Sequence, residues 1–244
     1  MSFRSLSLST MYTLFSDMGL MSEQNNIKHT LIPINEIDVL THESRNDEHL
    51  SITFSEISSY CCVGIADIVN STRMTTKLPN EKISQYYSVF LNTMASIAKR
   101  YGAIIVKNIG DSLLYYFPDT SDSTKKFGFM KSLECCLAMI DIHHSINERL
   151  QALKLPSMDY RISCDYGKIS FARSFGSTND DIFGTPVNVC SKINSIAVPN
   201  STIVGGDMYR VVRGIPDYRF KEIKPYSLGF TLDYPVYLVR RKNS

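Results

Sequence analysis

From Ile57 onward the apolar residues change period in a fixed succession, and few sheets accommodate that succession. Tyr60-Cys61-Cys62-Val63-Gly64-Ile65-Ala66 is an apolar run of strand length that stops at Asp67. Ile83, Tyr86, Phe90, Met94, Ile97 and Tyr101 then recur at helical spacing over Asn80–Tyr101, and Gly102 closes the pattern. Ala103–Val106 and Leu113–Phe117 are two short strand-like runs. The Gly-containing spacer Lys107-Asn108-Ile109-Gly110-Asp111 between them predicts a hairpin. A second long helical pattern covers Phe127–Leu153, and Met158–Cys164 with Lys168–Ala172 reads as a further strand pair. Strand, helix, strand, strand, helix, strand is the βαββαβ arrangement. The expected class is therefore α+β, with a ferredoxin-like βαββαβ core and additional C-terminal strands and helices. Those additions are a helix from Gly184 to Ala197 with Pro186 in its first turn, a strand at Ser201–Val204, a short helix at Met208–Val212, and strands around Phe220 and Val236. The order alone names no function, because this fold hosts many.

A chain of 244 residues holds one large domain with room for an extension. Residues 1–55 lack periodicity and read as a flexible or peripheral N-terminal extension, and residues 56–244 read as the domain. Met1–Leu20 carries Arg4 as its only base, and Ser and Thr interrupt its apolar residues, unlike a secretory signal; Met21 is an alternative start. No run of 18 apolar residues occurs, so no membrane span is expected. Cys61, Cys62, Cys135, Cys136, Cys164 and Cys190 show neither Cys-x-x-Cys nor a zinc spacing. They read as small buried hydrophobes in a reducing, cytoplasmic setting. From Ile57 to the end 23 Lys+Arg face 16 Asp+Glu, a moderately basic body that suits a polyphosphate; as a surface for nucleic acid it is outweighed by the solubility role of such charge.

Three separated clusters carry chemistry. Asp67 ends an apolar strand and heads Asp67-Ile68-Val69-Asn70-Ser71-Thr72. Lys107 to Asp111 occupies a hairpin turn. Asp181-Ile182-Phe183-Gly184-Thr185-Pro186-Val187-Asn188 leads into a helix. If the strand ending at Asp67 lies beside the hairpin, Asp67 and Asp111 meet at one end of the sheet. Paired carboxylates repel unless a cation lies between them, and hard oxygen donors with room left for phosphate suit Mg²⁺ or Mn²⁺. Each acid taken alone is an ordinary turn or cap residue.

Taken together and in this order, Asp67-Ile68-x-x-x-Thr72, Lys107-x-x-Gly110-Asp111 and Asp181-x-x-Gly184-x-x-x-Asn188 resemble the catalytic domain of class III adenylyl and guanylyl cyclases, over roughly Ser58 to Val239. The resemblance implies an adenylate cyclase that converts ATP to 3′,5′-cyclic AMP and pyrophosphate on two Mg²⁺ or Mn²⁺ ions per site. It implies a homodimer whose sites are shared between subunits. Asp67, Asp111 and the carbonyl of Ile68 match the metal ligands. Lys107 and Asp181 match the pair that reads the base. A Lys donor and an Asp acceptor complement adenine N1 and its 6-amino group, whereas guanine presents the reverse pattern. Asn188 matches the asparagine that positions the ribose, and Arg161 matches more loosely a phosphate-binding arginine. Lys192 stands where the family has an arginine for transition-state charge; it keeps the charge but loses the two-pronged donor, which implies a slower enzyme.

Two alternatives stay open beside this reading. One is a cyclase for a pyrimidine or guanine nucleotide, and the other is a catalytically weak nucleotide-binding homologue, which Lys192 favours. His143-His144 are helix neighbours that do not share a face, so they do not read as ligands.

Overall fold

The computed structural model describes residues 52–175, 177–223 and 234–242. Most of the N-terminal extension expected at 1–55 therefore lies outside the described residues. The first strand, β1 (Ile52–Ile68), begins inside that stretch and is far longer than the apolar run that announces it. Only its second half is buried, from Cys61 onward, because the first half is flanked by one strand instead of two. Along the buried half, Cys61, Val63 and Ile65 face one core cluster while Cys62, Ala66 and Ile68 face another. Burial on both faces explains why the run reads as continuous instead of alternating. The adjacent cysteines consequently point apart, and all six cysteines are free and buried.

A short helix, α1 (Ser71–Thr75), precedes α2 (Asn80–Arg100). In α2, Tyr86, Phe90, Met94 and Ala98 are buried at four-residue intervals, one stripe of a regular helix. The hairpin is β2 (Ile104–Ile109) and β3 (Ser112–Phe117), so most of the expected spacer is strand and the turn shrinks to Gly110 and Asp111. Gly110 takes φ 62°, a conformation that favours glycine. The second helical pattern divides at Ile142 into α3 (Lys126–Asp141) and α4 (His143–Ala152). Asn147 of α4 exchanges hydrogen bonds with the backbone of Met158, and His143 also reaches the Met158 carbonyl, which fixes the second helix in its own direction.

The expected strand pair at 158–172 is one strand, β4 (Tyr160–Ser174), and a short β5 (Asp181–Phe183) follows that the sequence did not announce. The chain then forms α5 (Thr185–Asn194), β6 (Ser201–Gly205), α6 (Gly206–Val212), β7 (Tyr218–Ile223) and β8 (Val236–Arg241). The sheet order is β2-β3-β1-β4-β6-β8-β7, with β5 paired to β4. The first four strands are mutually antiparallel in the order of a ferredoxin-like core, and β6, β8 and β7 extend it.

The main core lies between the sheet and α2, α3, α4 and α6, with Phe90, Leu133, Tyr160 and Met208 fully buried. The opposite face is covered over the buried half of β1 and over Leu114 of β3 by α5 and β5, through Ile182, Val189, Cys190 and Ile193, and is exposed over the first half of β1 and much of β2. Phe90 sits 5.3 Å, ring to ring, from Tyr160 at the centre of the main core. Phe90→Ala is expected to cost about 3–5 kcal/mol, read as a lowered urea midpoint at unchanged slope.

Candidate active site

Asp67 is the last residue of β1 on the α5 side of the sheet, at the end of the buried run, in register with Arg161 of β4. On the other side the ladder pairs Ala66 with Leu113, which brings Ser112 beside Asp67, and the Ser112 hydroxyl donates to its carboxylate. Asp111 lies next to Ser112 in the turn. Burial pushes the Asp67 carboxyl above its ordinary range, and the nearby Asp111 charge raises it further. The Ser112 hydrogen bond and Arg161 offset only part of this. A half-buried acid whose ionisation is disfavoured by burial and by a second half-buried acid beside it is a donor set that a divalent cation would relieve. Among the described residues no group of three His, Cys, Asp or Glu side chains forms a metal cage. Asp67, Asp111 and the backbone carbonyl of Ile68 are the donors that could hold an ion with positions left for substrate oxygens.

Lys107 and Asp181 are 74 positions apart, on β2 and β5, yet they form an ion pair. Asp181 Oδ1 also accepts the Ile182 N–H at 2.9 Å, which fixes the carboxylate plane. Arg173 at the end of β4 donates to Asp180 at 2.7 Å, steadying the residue just before it. The fold thus presents a cationic donor and an anionic acceptor side by side. Neither Lys107 nor Asp181 bonds to Asp67 or Asp111, so one chain holds two separate clusters.

The third group rides on α5. Asn188 and Lys192 are exposed on its outer side, while Val189, Cys190 and Ile193 are buried beneath it. Cys190 Sγ donates to the Val63 carbonyl at 3.1 Å, and Asn194 Nδ2 donates to Ser163 Oγ at 3.1 Å. Arg161 Nη1 donates to the carbonyls of Asn194 and Ser195 at 3.3 and 3.0 Å, satisfying the last turn of α5. Arg161 therefore lies between Asp67 and the end of the helix. Its buried Nε and the Oδ1 of Asn194 have no hydrogen-bond partner among the described residues.

Sequence reasoning missed Ser112, Asn194 and the Arg173–Asp180 clamp. Ser112 was legible in principle as the polar residue opening β3. The other two depend on partners distant in sequence or set by a loop, and no local pattern marks them.

A family profile described as the adenylate and guanylate cyclase catalytic domain matches residues 53–239. An adenylate cyclase of Streptomyces coelicolor is 25% identical over 142 residues, which are 58% of this chain and 31% of that protein. The chain thus spans about a third of that relative's length. The crystal structure of the adenylyl cyclase CyaB from P. aeruginosa superposes with a TM-score of 0.67 at 20% identity, over 80% of this chain and 100% of that one. The guanylate cyclase domain of RhGC from Catenaria anguillulae, solved with GTP, gives 0.64 at 17% identity, over 76% of this chain and 98% of that one. With the family profile matched over most of its length and the same fold in solved cyclases, the chain belongs to the adenylate and guanylate cyclase catalytic domain family.

Proposed function

We propose that this cyclase domain acts on ATP and releases 3′,5′-cyclic AMP and pyrophosphate. The observation that carries the reading is the Lys107–Asp181 pair, a partly exposed donor on β2 beside an acceptor on β5. Lys107 would donate to adenine N1 and Asp181 would accept from the 6-amino group; guanine would set like against like at both atoms. The adenylate cyclase name of the Streptomyces coelicolor relative agrees with this choice, while the GTP-bound domain from Catenaria anguillulae shows that the fold also serves guanine.

Asp67, Asp111 and the Ile68 carbonyl would hold two Mg²⁺ or Mn²⁺ ions. Bound there, such ions supply Lewis acidity at the phosphates and the ribose hydroxyl. Asn188 orients the ribose so that its 3′-oxygen faces the α-phosphorus. The new O3′–P bond forms as the bond to the β-phosphate oxygen breaks, and the 3′-hydroxyl proton is lost to solvent. Lys192 and Arg161 place positive charge where the leaving pyrophosphate becomes more negative. Because the carboxylate pair and the base-reading pair are separate clusters within one chain, a second copy related by a two-fold axis would complete each of two equal sites. Among the described residues no helix is long and apolar enough to cross a membrane.

Incubation of the purified protein with Mn²⁺ and each nucleoside triphosphate in turn, with product identification by mass spectrometry, tests the reading. Cyclic AMP from ATP is expected. A different cyclic nucleotide would overturn the roles of Lys107 and Asp181. No product from any triphosphate would favour a nucleotide-binding homologue, with Lys192 the residue responsible.

A further inference from the structure

On the same face of β4 as Arg161 and Ser163 lies Asp165, 1% exposed and in register with Val63 of β1. No described residue forms an ion pair with it. Instead its carboxylate collects neutral donors from two distant segments. Oδ1 accepts the Met208 N–H at 3.0 Å, in the first turn of α6. Oδ2 accepts the hydroxyl of Tyr234, two residues before β8, at 2.6 Å. The Tyr234 oxygen in turn accepts the Asp207 N–H at 3.0 Å. Two N–H groups that the start of a helix leaves unpaired are thus satisfied by a strand and by the segment leading into another strand.

The arrangement is fitted closely. A Cβ at Gly205 would stand 2.4 Å from the Asp165 carboxyl carbon, so any larger residue there would push the acid away. Cys190 of α5 is the next neighbour above; its thiol is pushed up by burial first and by the Asp165 charge second. The polar row of β4 therefore seats α5 along its length. Arg161 holds the last carbonyls of α5, and Ser163 donates to the Cys190 carbonyl at 3.0 Å. Asp165 underlies Cys190, and Pro186 packs 3.1 Å from the Cβ position of Gly167. The residues of α5 assigned to the ribose and to phosphate charge stand on the far side of this seat.

We propose that Asp165 is a positioning residue for turnover: its ionised carboxylate ties α6 and the start of β8 under α5, and its protonation loosens the seat of Asn188 and Lys192. The inference rests on the cyclase reading for its catalytic consequence, though not for the tie itself. The ionised form accepts from both the Met208 N–H and the Tyr234 hydroxyl. A protonated Oδ2 becomes a donor facing the Tyr234 hydroxyl, which already accepts from Asp207 and cannot turn to receive it without breaking that bond.

Burial pushes Asp165 up to about 6, while bonds from Tyr234 and from the Met208 and Tyr166 amides, and the charge of Arg210, pull it down. The groups facing it are Tyr234 ahead of β8, Cys190 of α5, and Arg210 of α6, itself paired with Asp207. The folded value is above the ordinary 3.8, so on this account folding stability rises as pH falls through about 6. Activity and stability should then move in opposite directions on acidification, which a purely structural role would not produce.

Two measurements on the full chain test this. Initial rates between about pH 8 and about pH 5 should show an acid limb in kcat with little change in KM. That limb should be absent in Asp165→Asn. In Tyr234→Phe, which keeps the ring and loses one lowering hydrogen bond, it should move to higher pH, with kcat down about tenfold at neutrality. Hydrogen exchange, corrected for intrinsic rates, should show protection at Asp207, Met208 and the buried turn of α5 falling together as the wild type is acidified, while its melting temperature does not fall. The same exchange step surviving in Asp165→Asn, or α5 remaining protected while α6 opens, would overturn the proposal. Exchange does not depend on turnover, so an inactive wild type would overturn the cyclase reading and still decide the tie.

Discussion

Asp111→Ala is expected to yield a folded chain whose cyclic nucleotide production falls by about 10³-fold or more, measured as initial rate at saturating Mn²⁺ and triphosphate. Asp111 sits in a two-residue turn and contributes nothing to the core, so its loss removes a charge without opening a cavity. In the absence of divalent ion the variant should melt at the same temperature as the wild type or slightly above it. Burial and Asp111 both raise Asp67, and removing Asp111 removes one source of that repulsion. Greater stability with lost activity is the signature of a site that stores like-charge strain for a ligand to relieve. The same reasoning fixes a pH effect. Asp67 protonates more readily than an ordinary aspartate, so the half-saturating Mn²⁺ concentration of the wild type should rise as pH falls towards that raised value. An Asp111→Ala protein with intact turnover would remove the carboxylate pair from the chemistry altogether.

The second large effect concerns the base. The paired substitution Lys107→Glu with Asp181→Cys should lower kcat/KM for ATP by about 10²–10³-fold and create measurable turnover of GTP. Either change made alone should weaken both substrates, because it leaves its former partner a half-buried or exposed charge facing the base without a complement. The Asp181 backbone is held by β5 pairing with β4 and by the clamp on Asp180, so neither change should disturb the fold. Unchanged ATP turnover in the double variant would show that this pair does not read the nucleotide.

The parts of the fold legible in the sequence are those governed by near neighbours. The strand ending at Asp67, the regular stripe of α2 and the hairpin turn at Gly110 each follow from spacing within a dozen residues. The reading of β4 as two strands fails at Asp165-Tyr166-Gly167, where an acid and a glycine imitate a turn. The strand continues there because Met208 and Tyr234 satisfy the buried acid and because Pro186 of α5 packs closely over Gly167, 3.1 Å from its Cβ position. None of those partners lies near in sequence. The break at Ile142 is similar, since it depends on Met158 binding back to α4. For the candidate site, Asp67, Asp111, Lys107 and Asp181 were legible as residue types in order, and their pairing needed the sheet. Asp165 left no trace, because a lone acid inside an apolar strand is silent until its donors are known.

The ladder between β1 and β4 has a kinetic consequence. Ile68 pairs with Tyr160 and Ile52 with Ser174, so its rungs close loops of about a hundred residues. Helices α2 and α3 and the β2–β3 hairpin form from local contacts and precede such closures, while strands so far apart in sequence meet late, on the millisecond to second scale. Asp67 and Arg161 are rungs of that last ladder, and Lys107 meets Asp181 only once β5 has folded onto β4. A chain in which β5 has not yet joined β4 carries no assembled site, and a nascent chain presents no base-reading pair until residues through Phe183 have left the ribosome.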